Sequence, residues 1–282
     1  MNTKLSNIKN FAWAVAIVLS LAIVLVGLGF AAFTRNHGAI QRPTVLMGDA
    51  AAIAQQSAAA VEKADAQAQP EDPGTVYLLG ESGDAGQSYI DSLTFLTDSA
   101  LIGLRDYGLL TGGTGTAQVW SSASGSIPAA QIGSFTIRYP GDGSEISPAD
   151  AAMIAKPKTL VISLGSDGLA QTNESAFIAA FDALIRDIQQ ASPDTTIIVC
   201  TLTGVTESYS GSDGLTNAMI AAANRWLSQV CADCEVYLTD AASSISDQNG
   251  ALLSDYASAN GKTPNSAGLT RILQYLRTHA VA

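Results

Sequence analysis

The pattern of apolar and polar positions divides the chain into three zones. The first centres on Phe11 to Phe33, an uncharged run of 23 residues rich in Val, Leu, Ile and Ala. As a helix it would extend about 34 Å, enough to cross a hydrocarbon core. Its length suits an uncleaved anchor. A removable signal peptide has a shorter apolar region, although Gly29, Ala31 and Ala32 are small enough for a cleavage site, and a buried core helix is the third reading. Lys4, Lys9 and the terminal amine face Arg35 and Arg42 across the run, so the charge bias toward an inward N-terminus is small. The second zone is rich in Ala and Gln from Ala50 to Gln69 and closes on Pro70, Asp72, Pro73 and Gly74. That composition reads as a semi-rigid tether ended by helix breakers. The expected organisation is a short tail over 1–10, a transmembrane signal anchor over 11–33, a tether over 34–74 and one domain over 75–282.

In the third zone, short apolar runs alternate with amphipathic stretches. Leu93 to Leu96, Phe135 to Tyr139, Thr159 to Leu164, Thr195 to Thr201 and Val236 to Thr239 read as strands. Helices are expected from Ser99 to Leu110, from a cap at Ser147 with Pro148 and Asp150 in the first turn, and from Asp213 to Val230. Two more follow from spacing. Phe177, Phe181, Leu184 and Ile188 share one helical face, and Leu269, Ile272, Leu273 and Leu276 mark another. Alternation of this kind predicts an α/β fold, a three-layer α/β/α sandwich around a central parallel sheet of flavodoxin-like type. In such sheets a site lies beyond the carboxyl ends of the strands, where Ser99 and Asp167 fall.

Charge narrows the function classes. Net charge is −11, and the four basic residues of the first 42 leave the remainder more acidic still. Such a body repels phosphate backbones, so no nucleic-acid partner is expected. Two histidines, His37 and His279, and three cysteines leave little material for a metal site, and no cofactor is expected. The Gly-rich run at Gly112, Gly113 and Gly115 lacks the Gly-Lys-Ser/Thr of a phosphate-binding loop. Cys231 and Cys234 form a lone C-x-x-C at a helix end, which favours a structural thiol pair or a local disulfide over redox chemistry. Cys200 falls in a buried strand. Arg105 and Arg138 read as surface or salt-bridge residues.

Several short blocks resemble the SGNH/GDSL hydrolases, in that family's order. Phe95-Leu96-Thr97-Asp98-Ser99 resembles the Gly-Asp-Ser nucleophile block. Ile102-Gly103-Leu104, Tyr107-Gly108, Gln118-Val119-Trp120 and Ala123-Ser124-Gly125 resemble its continuation in envelope-associated members from Gram-positive bacteria. Leu164-Gly165-Ser166-Asp167-Gly168 stands where the family has Gly-x-Asn. Asp255-Tyr256, Asn260-Gly261 and Ala267-Gly268 resemble the last block, where the family carries Asp-x-x-His. The resemblance implies acyl-ester hydrolysis: a Ser attacks, a His takes its proton, an Asp orients the His, and amide donors hold the oxyanion.

Carried over residue by residue, the resemblance places the nucleophile on Ser99, the Gly donor on Gly125, the Asn donor on Asp167, the Asp on Asn260 and the His on Thr263. Thr97 replaces the first Gly. An ionised Asp167 has no N–H to offer and sets a negative charge beside a developing oxyanion. The Thr263 hydroxyl is no base near neutral pH. His279 lies 11 residues beyond Gly268, about 16 Å along a helix. Lys262, beside Thr263, can serve a Ser–Lys pair only if its stem turns inward and its pKa falls. Blander readings stand beside these: Ser99 as a helix cap, Asp167-Gly168 as a turn, Asn260 to Pro264 as a capping loop, and His279 as a helix C-terminus residue. The expectation is a membrane-anchored extracytoplasmic domain with impaired chemistry and a binding or structural role at the bacterial envelope, with an acylated glycan or other envelope component as partner. The alternatives are an active serine esterase or deacetylase on acylated envelope glycans with a non-standard base, and a scaffold that never used the crevice.

Overall fold

The computed structural model describes residues 77–281. The expected tail, membrane helix and tether (1–10, 11–33 and 34–74) lie outside the described residues. Among the described residues no helix is long and apolar enough to cross a membrane.

Five parallel strands form the central sheet: β1 (Leu93–Thr97), β2 (Val119–Trp120), β5 (Thr159–Ser163), β6 (Thr196–Cys200) and β7 (Tyr237–Thr239), in the order β2-β1-β5-β6-β7. The register sets Leu96 beside Ile162, Ile162 beside Val199 and Val199 beside Leu238. Successive side chains go to opposite faces. Leu96, Leu160, Ile162, Ile197 and Val199 join one core, and Phe95, Val161, Ile198 and Cys200 join the other. Both faces are buried, which explains runs that are apolar throughout instead of alternating. The first face is covered by α3 (Pro148–Ala155), α4 (Glu174–Ala191) and α5 (Asn217–Cys234). The second is covered by α1 (Gly86–Ser92), α2 (Gly103–Asp106) and α6 (Ser266–Thr278). This is the expected three-layer α/β/α arrangement.

Local chemistry sets most helix starts. Ser147 Oγ accepts from the Asp150 N–H at 3.0 Å with Pro148 in the first turn, as the sequence predicts. Asn173, Thr216 and Asn265 cap α4, α5 and α6 in the same way. The inner face of α4 holds Phe177, Phe181, Leu184 and Ile188, with Ile185 added.

Three expected elements take a different form, and α1 and β2, along with a strand at Glu145–Ile146, are elements the sequence reading did not include. Ser99 to Leu110 is a turn followed by the four residues of α2. Thr97 Oγ1 accepts from the Leu101 N–H and Asp98 Oδ1 from the Ala100 N–H, so side chains take the amides a helix would satisfy with carbonyls. The run from Phe135 to Tyr139 yields only β3 (Ile137–Arg138), which pairs antiparallel with β4 (Glu145–Ile146) in a separate hairpin. Asp142 shapes its turn by accepting from the N–H and hydroxyl of Ser144. Finally, α5 begins at Asn217, which leaves Asp213 in the preceding loop.

Cys200, Cys231 and Cys234 are buried free thiols. Burial pushes the Cys200 thiol up to about 12 and the Cys231 thiol upward. Burial and the adjacent Asp182 carboxylate push Cys234 to about 12. Protonated, Cys231 and Cys234 in the core under α5 and Cys200 in the core on the opposite face of the sheet act as small apolar groups.

Phe181 is fully buried and stacks on Phe177 with ring centroids 4.8 Å apart. Phe181→Ala is expected to lower unfolding free energy by about 3–5 kcal/mol in urea titration, from lost burial and the cavity left behind.

Candidate active site

The strand order reverses between β1 and β5, so the crevice beyond their carboxyl ends is the switch point of the sheet. Asp98 and Ser99 leave β1 there, and Gly165 to Asp167 leave β5. The Asp98 side chain ties the two exits together. Its Oδ2 accepts from the N–H groups of Gly165 at 3.0 Å and Ser166 at 3.2 Å, and from the Ser166 hydroxyl at 3.3 Å, while Oδ1 accepts from the Ala100 N–H at 2.9 Å. Gly165 must be glycine. Its φ is +113°, and a Cβ would lie 2.8 Å from the Phe177 ring.

Ser99 donates its hydroxyl to Asp167 Oδ1 at 2.7 Å, and its N–H lies 3.3 Å from Asp167 Oδ2. The Ser126 hydroxyl donates to Oδ2 at 2.7 Å. Lys262 turns inward and donates from Nζ to Asp167 Oδ1 and to Asp213 Oδ2, each at 3.1 Å. Tyr209 donates to Asp213 Oδ1 at 2.8 Å. The result is a polar chain, Ser99–Asp167–Lys262–Asp213–Tyr209, with Ser126 at its side.

Charge states follow from these contacts. Burial opposes ionisation of Asp167, but the Ser99 and Ser126 hydroxyls and the Lys262 ammonium outweigh it and hold its carboxyl below the ordinary value. Burial likewise opposes a charged Lys262, and the two carboxylates outweigh it, raising its pKa. Lys262 is therefore an ammonium with no lone pair for a proton. Asp98 goes the other way. Full burial and the nearby Asp167 charge push it up to about 6, against the pull of the amides of Ala100, Gly165 and Asp167.

The other positions singled out from sequence are arranged differently. Asn260 Oδ1 accepts from the backbone of Lys262 and Thr263, and its Nδ2 donates to Thr263 Oγ1 at 3.1 Å. Thr263 and Asn260 thus bond to each other within a loop. The loop geometry explains why Lys262 is the residue that enters. Gly261 has φ +67°, its carbonyl accepts from the Thr206 N–H at 2.8 Å, and a Cβ there would meet Thr206 Oγ1 at 2.7 Å. Gly125 donates its N–H to the Ser122 carbonyl at 3.0 Å, so this amide closes a turn and does not serve an oxyanion. Ser99 does not cap a helix. His279 sits at the C-terminus of α6, stacked on Tyr275 at 3.7 Å between ring centroids, about 20 Å along the helix from the loop that carries Lys262. Ser126, Asp213 and Tyr209 carried no signal in the sequence. Lys262 was visible only as the neighbour of Thr263.

A nucleophile-position Ser after the first strand of a parallel sheet, facing an acidic residue after the next, defines a serine-hydrolase-like site of the α/β/α class. Residues 98–271 match the GDSL-like lipase/acylhydrolase family, and the chain belongs to it. Among solved structures, one described as a lipolytic protein of the G-D-S-L family from Desulfitobacterium hafniense DCB-2 is 15% identical, covering 67% of this chain and 99% of its own, with a TM-score of 0.48. A carbohydrate esterase family 3 structure from Talaromyces cellulolyticus is 16% identical over 66% of this chain and 92% of its own, with a TM-score of 0.40. No curated protein matches the chain.

The two acids make opposite contributions to stability with pH. Asp98, raised in the fold, stabilises fully below its ordinary value near 3.8, and that contribution is lost as pH rises through about 6. Asp167, lowered in the fold, stabilises above its ordinary value and loses that contribution as pH falls through its folded value. Asp98→Asn is expected to flatten the decline in unfolding free energy between about pH 4 and 6.5, measured by urea denaturation at several pH values. An unchanged slope would show that Asp98 titrates normally.

Proposed function

We propose that this chain is a membrane-anchored, extracytoplasmic GDSL-family protein whose hydrolytic chemistry is impaired, and that it binds an acylated glycan or another component of the bacterial envelope. One observation carries the impairment: the Ser99 hydroxyl donates to an ionised carboxylate that is itself paired with an ammonium. A carboxylate held below its ordinary pKa is too weak a base to activate a serine near neutral pH. The Ser99 N–H, which would face an oxyanion, is directed at Asp167. A negative charge at that place opposes the charge that develops during acyl transfer.

The membrane and envelope parts of this reading rest on the apolar run over 11–33 and on the family resemblance. A separate recess of about 280 Å³ beyond the ends of β6 and β7 offers space for a small ligand but includes none of the residues at Ser99. Leu202, Ile220 and Ala242 line it together with Asn217 and Asn224, whose side-chain amides are paired with the backbone of Val205 and Leu202. The alternative, an active esterase with a lysine base, requires a neutral Lys262. Two carboxylate partners at 3.1 Å each favour the charged form.

The test uses the detergent-solubilised full chain and p-nitrophenyl acetate and butyrate near neutral pH. Hydrolysis is expected to stay at the background rate and to be the same in Ser99→Ala. Turnover that disappears in Ser99→Ala would overturn the impairment.

A further inference from the structure

The four lone-pair sites of the Asp167 carboxylate each have a donor. Oδ1 receives the Ser99 hydroxyl at 2.7 Å and the Lys262 ammonium at 3.1 Å, and Oδ2 receives the Ser126 hydroxyl at 2.7 Å and the Ser99 N–H at 3.3 Å. These donors come from three segments far apart in sequence. We propose that they form an anion cradle of which the Asp167 side chain is the intramolecular occupant, and that a free monocarboxylate of formate or acetate size takes the same seat when that side chain is removed.

Each wall of the cradle is anchored without the Asp167 carboxylate. Ser99 follows Asp98, whose side chain binds the exits of both β1 and β5. The Ser126 carbonyl accepts from the hydroxyls of Ser122 and Ser124. Lys262 keeps Asp213 on its ammonium and Asn260 on its backbone N–H. The main chain of Asp167 is held separately, since its carbonyl accepts from the Ala129 N–H at 2.7 Å. Truncation at Cβ therefore leaves the donors in place and frees the volume of one carboxylate. The charge count agrees. Lys262 faces Asp167 and Asp213, so the loss of Asp167 leaves one ammonium paired with one carboxylate. A bound monoanion restores the original count. Asp98, the remaining acid close by, loses the neighbouring charge that helps raise its pKa when Asp167 is truncated, and a bound monoanion puts that charge back.

The seat also matches a reaction product. A small carboxylate is what acyl-ester hydrolysis leaves beside the serine, with one oxygen on the serine N–H. The Asp167 side chain thus closes the crevice as a built-in product mimic. This deepens the reading of an impaired site and rests on it, but the two fail separately: ester turnover by the unmodified chain would refute the impairment, whereas the cradle is judged by anion binding alone.

The test is thermal unfolding and isothermal titration of detergent-solubilised full-length Asp167→Ala with sodium formate or acetate, against sodium chloride at equal ionic strength. Saturable binding in the millimolar range and a Tm rise of roughly 3 °C or more are expected, with no response from the unmodified chain. A second change, Lys262→Met, in the same background should weaken formate binding about tenfold or more. If Asp167→Ala fails to fold in plain buffer, refolding yield gives the same readout, and recovery that depends on formate supports the cradle. Equal effects of formate and chloride, equal effects on the unmodified chain, or no recovery with either salt would overturn it.

Discussion

The crevice depends on one buried carboxylate. Asp98 is fully enclosed, and its two oxygens gather amides from the end of β1 and the start of the segment after β5. Parallel strands end with unpaired N–H groups, and burying them without acceptors costs free energy. A short acidic side chain directly after β1 can meet several of these donors at once. The geometry it imposes carries Ser99 and Asp167 to the same point. The raised pKa of Asp98 is the counterpart of this arrangement, because the charge that best satisfies the amides is also the charge that burial and Asp167 oppose.

The second constraint is electrostatic and arises one layer further out. The buried negative charge of Asp167 needs compensation, and Lys262 supplies it. Its ammonium then requires a further acceptor, which Asp213 provides, and Asp213 in turn takes the Tyr209 hydroxyl. Asp167, Lys262 and the pair Tyr209 and Asp213, which are far apart in the sequence, are thus parts of one network. The same network supports the proposed impairment, because it commits Asp167 and Lys262, the ionisable groups at Ser99, to pairing with each other. Ion pairing and general-base catalysis are exclusive here, because a lysine between two carboxylates holds its proton more tightly than one in water.

The architecture was readable because it depends on local repetition. Apolar runs marked β1, β5, β6 and β7, and the 3.6-residue period marked α4 and α6. Ser147-Pro148 marked the start of α3. Errors came where side chains compete with regular structure. Thr97 and Asp98 divert the amides after β1, and Asp213, expected to open a helix, lies in the Gly- and Ser-rich loop before Asn217. The approach of Ser99 and Asp167 was readable too, since both follow strands expected at the centre of the sheet. Their partners were not. Ser126 reaches the site from a loop after β2, and Lys262 enters because Gly261 turns the backbone against Thr206. Those contacts span tens of residues and leave no periodic trace.

The amino-acid sequence by itself determined the class of fold, the strand ends that carry polar residues, and that the chain has two histidines, His37 and His279. These follow from residue type and spacing alone. Only the tertiary structure decided that Lys262 and not Thr263 reaches Asp167, that the Gly125 amide is consumed in a turn, and that Asp167 is saturated by four donors. The reason is that loop direction and charge state are set by contacts between distant segments. The direction in which a side chain leaves a turn depends on one backbone dihedral, and whether it is charged depends on what it meets there.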